Sequence, residues 1–188
     1  MANYGVINEA RVQAQNIDAF NRTAQATVDV AGGGLVALAN SGSQGNDVYT
    51  ATVPATGALT GLWMAYNPSN KAIADVAGNT YTGLSIDPRA FTNIANKPFA
   101  TFKPKVGDNI VLTAECVASG SIASVVAGDY LNAANAQTVL ARTAAVSGIP
   151  TSTTTFVVDY VGYISFPASK GSIGMEQQKV FGVTCVQE

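Results

Sequence analysis

From residue 26 onward, apolar and polar side chains alternate with a period of two, which is typical of β-strands with one buried face. The run VYTATV at 48–53 alternates in this way, and so does NIVLTAECV at 109–117. In TTTFVVDYVGYISF at 153–166 both faces are partly apolar, which predicts a central strand with packing on both sides. QQKVFGVTCVQE at 177–188 continues the pattern. Clusters of Gly, Pro, Ser and Asn separate these runs, as turns do.

Many short strand-like runs with few helical stretches predict a mainly β fold, an antiparallel β-sandwich or barrel in one or two domains. The first 25 residues fit neither the helical nor the strand period, and we interpret residues 1–25 as a non-globular N-terminal arm. The remainder then divides into a β-rich region at 26–100 and a sandwich or barrel region at 101–188. A single continuous domain over 26–188 is the alternative.

The stretch GLSIDPRAFTNIANKPFATFKPKVGD at 83–108 gathers prolines, charges and aromatic rings in a chain otherwise rich in Ala, Val, Thr, Gly and Ser. Its prolines remove backbone donors, so we interpret it as an ordered connector and not as an interior strand. Its phenylalanines would hold the connector to a domain as buried pegs. Its cations have two interpretations, namely solvated side chains on a connector or a docking edge for an acidic partner surface.

Candidate contact residues come from this stretch and from the run that precedes it. The candidates for polar docking contacts are Arg89, Lys103 and Lys105. The candidates for packing at a domain junction or subunit interface are Trp63, Met64, Tyr66, Phe91, Phe99 and Phe102.

The composition predicts a surface with few charges. Charged residues are 12% of the chain, against roughly 25% in an average domain, while the 47% of hydrophobic residues argues against disorder. A net charge of −2 argues against a nucleic-acid partner, because phosphate binding needs clustered cations. No apolar run has the length of a membrane span, and the start lacks the basic and apolar regions of a signal peptide, so we expect a protein made and kept in a cytoplasm.

The residue types that carry most enzyme chemistry are scarce. The chain has no histidine, which removes the commonest general base and the commonest metal ligand. The carboxylates are scattered, and Asp87 and Asp108 occupy turn-like contexts. Cys116 and Cys185 lie in strand-like apolar runs, which indicates buried free thiols. We therefore predict a non-enzymatic protein without cofactor or metal.

Three strings carry a resemblance to a known group of proteins. GLSIDPRAFTN, FATFKPKVGDNIVLTA and ATVPATGALTGLWMAYNPS resemble a pattern in tailed-phage structural proteins that are described as head decoration, cement or capsid-stabilising proteins. The resemblance implies a non-enzymatic β-rich virion protein, made in the host bacterial cytoplasm, that binds the outside of the capsid lattice. The implied partners are the major capsid protein and further copies of the chain, as a dimer or trimer.

Two rival functions stay open. A tail-tube protein or a head or tail fibre component belongs to the same broad class, and a tube protein would show a long hairpin and polymerise by itself. A carbohydrate-binding module or glycan-active enzyme would need converging carboxylates or a planar row of aromatic side chains. Trp63 with Tyr66, or Tyr160 with Tyr163, are the pairs that would begin such a row.

Overall fold

The computed structural model describes residues 4–39, 47–68, 73–74, 80–81, 88–167 and 174–188. In chain order the strands are β1 (Ile7–Arg11), β2 (Asn21–Ala26), β3 (Leu35–Leu38), β4 (Val48–Thr52), β5 (Trp63–Ala65), β6 (Ile73–Ala74), β7 (Thr80–Tyr81), β8 (Pro98–Phe102), β9 (Asn109–Thr113), β10 (Tyr130–Asn132), β11 (Ala141–Thr143), β12 (Thr155–Pro167) and β13 (Met175–Gln187). Short 3-10 helices lie at Gln13–Gln15, Asp18–Phe20, Pro88–Ala90, Ala114–Cys116, Ile122–Ser124 and Ala145–Ser147. The predicted mainly β fold is confirmed.

Five strands close into a small barrel in the order β2-β4-β3-β5-β8. The β2–β4 pairing is parallel, and the other pairings are antiparallel. A barrel of so few strands is narrow, so small side chains suit its interior. The cluster that fills it consists of Ala24, Ala26, Val30, Val36, Ala51, Ala65 and Phe99, with Leu38 and Trp63 packed against it.

Six strands form an antiparallel sheet in the order β1-β9-β13-β12-β10-β11. One face of this sheet carries Ile110, Phe156 and Phe181, which are at most 1% exposed. Leu35, Met64 and Phe102 lie on strands of the barrel but belong to the same buried cluster. The sheet and the barrel therefore share a hydrophobic core, and the predicted division at residue 100 falls inside strand β8.

The predicted N-terminal arm is wrong for the part of residues 1–25 that the structure describes. Strand β1 pairs with β9, with Ile7 opposite Leu112, and strand β2 pairs with both β4 and β8. The side chains of Val12 and Ala14, between these two strands, are each 3% exposed. The segment shows no clear period because its two strands are short and belong to different sheets, so neither alternation extends far enough to be recognised.

The interpretation of 83–108 as a connector without an interior strand is also wrong. Residues 83–87 lie outside the described residues, but β8 is a barrel strand with neighbours on both sides. Pro98 is its first residue, a position where proline is tolerated, and Pro104 follows its end. The prolines thus mark the limits of the strand. The three phenylalanines are buried as predicted, with Phe102 completely inaccessible.

Candidate interaction surface

Strands β12 and β13 form a hairpin that extends beyond the strands on either side of it. They pair from Thr155 opposite Gln187 to Pro167 opposite Met175. On one side β10 pairs with residues 155–157 only, and on the other side β9 pairs with residues 180–184 only. Among the described residues, 160–167 therefore pair with β13 alone and 175–179 pair with β12 alone. We call this part of the hairpin the distal ribbon.

The distal ribbon exposes large apolar side chains. Tyr160, Val161, Tyr163, Ile164 and Met175 are between 36% and 67% exposed, and they are five of the eleven exposed large hydrophobic residues that the structure describes. Exposed apolar residues that occur singly need no explanation, whereas a group on one element marks an interaction surface. The distal ribbon is therefore the strongest candidate for a functional surface in the described chain.

The two faces of the distal ribbon have different surroundings. Ile164 and Phe166 line a cleft of about 260 Å³ whose opposite wall includes Val6 of the N-terminal segment and Val111 of β9. Tyr163 lies on the opposite face, because side chains alternate along a strand, and it is 67% exposed. The face that carries Tyr163 is therefore the outward face.

The base of the hairpin is fixed by its packing. Phe156, Val158 and Phe181 are buried in the shared core. Just beyond them the ring of Tyr160 lies directly over Gly182, its cross-strand partner, and leaves no room there for a Cβ. The distal ribbon therefore emerges from a rigid root.

Arg89 holds the distal ribbon to the 3-10 helix Pro88–Ala90 and is not a surface docking residue. Its side chain is 0% exposed. Its guanidinium donates to Gln178 Oε1 at 3.1 Å and to Glu176 Oε2 at 3.0 Å, and it lies 4.8 Å from the centre of the Phe166 ring. Gln178 donates in turn to Glu115 Oε1 at 2.8 Å. The charge of Arg89 is thus used within the chain.

The two candidate lysines differ in their surroundings. The Lys105 ammonium pairs with the Glu188 carboxylate and lies 5.0 Å from the centre of the Phe20 ring. Lys103 is half-buried, and its main-chain N–H donates to the Phe20 carbonyl at 2.8 Å. Of the three predicted docking cations, Lys103 is the one whose ammonium has no hydrogen-bond or ion-pair partner among the described residues.

The aromatic candidates are mostly core residues. Phe91, Phe99 and Phe102 are at most 7% exposed, and Met64 is 0% exposed, so these four cannot contact a partner directly. The Tyr66 ring packs against Phe102, and its hydroxyl donates to Asn21 Oδ1 at 2.9 Å. Met64, Phe102 and Tyr66 belong to the core that the barrel shares with the sheet, whereas Phe99 belongs to the cluster that fills the barrel.

Neither predicted aromatic pair forms a planar row. Trp63 packs against the cluster that fills the barrel, whereas Tyr66 packs against the shared core on the other face of the barrel wall. Tyr160 and Tyr163 lie three positions apart on one strand and so point to opposite faces of the distal ribbon. The geometry offers no sugar-stacking platform at these positions.

A polar cleft of about 540 Å³ opens beside strands β2 and β8. The Arg22 guanidinium lies in its wall, 5.7 Å from the centres of both the Tyr49 and Trp63 rings, and donates to the Asn21 carbonyl at 2.8 Å. Asp47 contributes a carboxylate to the same wall. The opposite charges of Arg22 and Asp47 give the cleft no clear preference for a cation or an anion.

The described residues contain no group of three or more His, Cys, Asp or Glu side chains that would hold a metal ion. Cys116 and Cys185 are both buried and unpaired, as predicted. Burial raises the pKa of each thiol to about 12, so neither is a nucleophile near neutral pH. None of the described helices has the length and apolar character needed to cross a membrane.

Sequence reasoning recognised both strands of the hairpin but not its role. The partly apolar faces of the run at 153–166 predict a central strand. The same pattern also fits a strand whose burial comes from a partner outside the chain. Comparison of the chain with protein-family models, curated proteins and solved structures gives no match.

Proposed function

We propose that this chain is a non-enzymatic structural protein of a phage virion that binds the outside of the capsid lattice and stabilises it. The observation that carries the proposal is the distal ribbon, which exposes five large apolar side chains on a rigid root and extends beyond its own sheet. Such an element reaches a neighbouring protein, and each apolar Å² that it buries there contributes roughly 25 cal/mol. The major capsid protein is the proposed partner.

Binding of this kind stabilises a shell by mass action. A protein that binds the assembled lattice and not its free subunits shifts the equilibrium towards the lattice. The surface of low charge supports the proposal, because it gives little long-range repulsion between copies that lie close together on a shell. Lys103, with no polar partner for its ammonium among the described residues, is the cation best placed for a docking contact.

The test is co-sedimentation of the purified chain with undecorated capsids of its own phage. We expect saturable binding that Met175→Asp weakens, because Met175 is 65% exposed at the end of the distal ribbon. Val146→Asp is the matched control, because Val146 is 96% exposed and lies outside the hairpin. Absence of binding by the wild-type chain, or equal loss in the two variants, would contradict the proposal.

A tail-tube subunit is the second candidate, and the long hairpin is the observation that favours it. A tube protein polymerises by itself, whereas a decoration protein needs the shell. Electron microscopy of the concentrated chain without capsids therefore separates the two functions. Tubes or rods formed by the chain alone would support the tail-tube function. Discrete particles, together with saturable binding to capsids, would support the decoration function.

A further inference from the structure

Among the described residues, no strand pairs with the outer edge of β12 over the length of the distal ribbon. The last main-chain hydrogen bonds on this edge join Val158 to the residues just before β10. The Gly128 N–H donates to the Val158 carbonyl and the Val158 N–H donates to the Asp129 carbonyl, both at 2.8 Å. Beyond Val158, no described strand other than β13 pairs with β12. Every second residue of an antiparallel strand directs its N–H and C=O away from its partner, so residues 160–166 present main-chain groups that no described strand pairs with.

The opposite edge of the distal ribbon is less accessible. The side chain of Gln178 is held between Arg89 and Glu115. The Lys179 ammonium donates to the Ile122 carbonyl at 3.0 Å. Neighbouring elements of the chain thus already contact strand β13, whereas within the described ranges no strand lies along the edge of β12 beyond Val158.

Between Tyr160 and Phe166 the edge of β12 lacks the charges and prolines that normally prevent edge-to-edge pairing, and the bulge of this strand between Val158 and Tyr160 lies before that segment. Natural edge strands carry lysines, prolines or inward-pointing charges. Residues 160–166 contain no charged residue and no proline, and Pro167 is the last residue of the strand. A segment without charges, such as 160–166, meets no like-charge repulsion when it runs antiparallel to a copy of itself.

We propose that a second copy of this chain occupies the edge, by antiparallel pairing of β12 with β12 about a two-fold axis at Tyr163. This register places Tyr163 opposite Tyr163 of the second copy and Tyr160 opposite Phe166. Cross-strand aromatic pairs stabilise antiparallel sheets, and a two-fold contact is self-complementary and closed. The inference rests on the distal ribbon being an assembly surface, as in the proposed function, and names a partner for one of its edges.

Sedimentation velocity of the purified full-length chain tests this dimer. We expect a wild-type dimer and, for Tyr163→Lys and for Tyr163→Glu, a dissociation constant at least about tenfold higher, because each variant places like charges opposite each other at the axis. An equimolar mixture of the two variants restores the dimer, since opposite charges then face each other. Val146→Lys, at an exposed position outside the hairpin, keeps the wild-type dimer.

Each of three results would overturn the inference. These are a wild-type chain that stays monomeric at every concentration, a Tyr163→Lys variant that dimerises as the wild type does, and a mixture that fails to restore the dimer. The outcome is separable from that of the proposed function. If the chain dimerises but does not bind capsids, the inference stands and the decoration role is excluded. If the chain stays monomeric and binds capsids, the decoration role stands and the inference is excluded.

Discussion

Asp129 anchors the root of the hairpin, and its replacement gives the sharpest test of how the distal ribbon is supported. Its side chain is 3% exposed. The carboxylate accepts hydrogen bonds from Arg142 Nε at 2.6 Å and from the N–H groups of Val126 and Ala145, both at 3.1 Å. The main-chain carbonyl of Asp129 accepts the bond from Val158 at the point where the distal ribbon begins.

The variant Asp129→Asn keeps the shape of the side chain but not its acceptors. One carboxamide oxygen replaces two carboxylate oxygens, and the new NH2 group points at a donor. A hydrogen bond to a charged group contributes about 1.5–3 kcal/mol, and a buried donor left without an acceptor costs about 1–3 kcal/mol. We therefore expect the free energy of unfolding to fall by about 2–4 kcal/mol at pH 7, measured by urea unfolding with Trp63 fluorescence.

The loss should depend on pH in a defined direction. Burial opposes the ionisation of Asp129, but the hydrogen bond from Arg142 and those from the Val126 and Ala145 amides outweigh it, so the pKa lies below its ordinary value of 3.8. A lowered folded-state pKa contributes stability above the unfolded-state pKa, and that stability is lost as the pH falls through the folded-state pKa. The gap in unfolding free energy between wild type and variant should therefore narrow below about pH 4.

Asp159→Asn is the matched control, because Asp159 is exposed and accepts one side-chain hydrogen bond, from Thr184 Oγ1. We expect it to change the unfolding free energy by less than about 1 kcal/mol. Two results would refute the reasoning. One is an equal loss of unfolding free energy in Asp129→Asn and Asp159→Asn, and the other is a difference in unfolding free energy between wild type and Asp129→Asn that stays constant down to pH 2.

Two further predictions concern the core. In the native chain at pH 8, Cys116 and Cys185 should not react with a thiol reagent such as DTNB, because burial raises both pKa values to about 12. In denaturant, two thiols per chain should react. Rapid reaction of the native chain would contradict the burial of the thiols. Phe102→Ala should lower the unfolding free energy by about 3–5 kcal/mol, because this ring is 0% exposed where the barrel meets the sheet. Urea unfolding measures this loss beside the control Val146→Ala, which should change the unfolding free energy by less than about 0.5 kcal/mol. Similar losses in the two variants would argue against a shared core.

The sequence predicted those parts of the fold that depend on local pattern. Strands β12 and β13 lie close to where alternation places them, and both thiols are buried as their apolar runs predict. The strand predicted over 109–117 ends at Thr113, because residues 114–116 form a 3-10 helix. The prolines of 83–108 argue against an interior strand only at their own positions, and β8 fits between Pro98 and Pro104. A proline at the first residue of a strand removes a donor that its neighbours do not require.

The remaining features depend on partners far away in the chain. The free length of the hairpin is set by where β9 and β10 end, and no pattern within β12 records the lengths of its neighbours. The burial of Arg89 follows from its contacts with Glu176 and Gln178, which lie almost ninety positions later. An arginine in a short polar context is ordinarily exposed, so composition alone favours the surface.

The position of β1 affects how the chain folds as it is made. The Val6 N–H donates to Thr113 Oγ1, 107 positions later, so the first strand finds its partner only after most of the chain has been synthesised. At about 5–20 residues per second, this segment leaves the ribosome roughly 5–20 s before strand β9 exists. Throughout that interval the nascent chain exposes Ile7 and an unpaired edge, so its yield should depend on translation speed, temperature and the supply of chaperones.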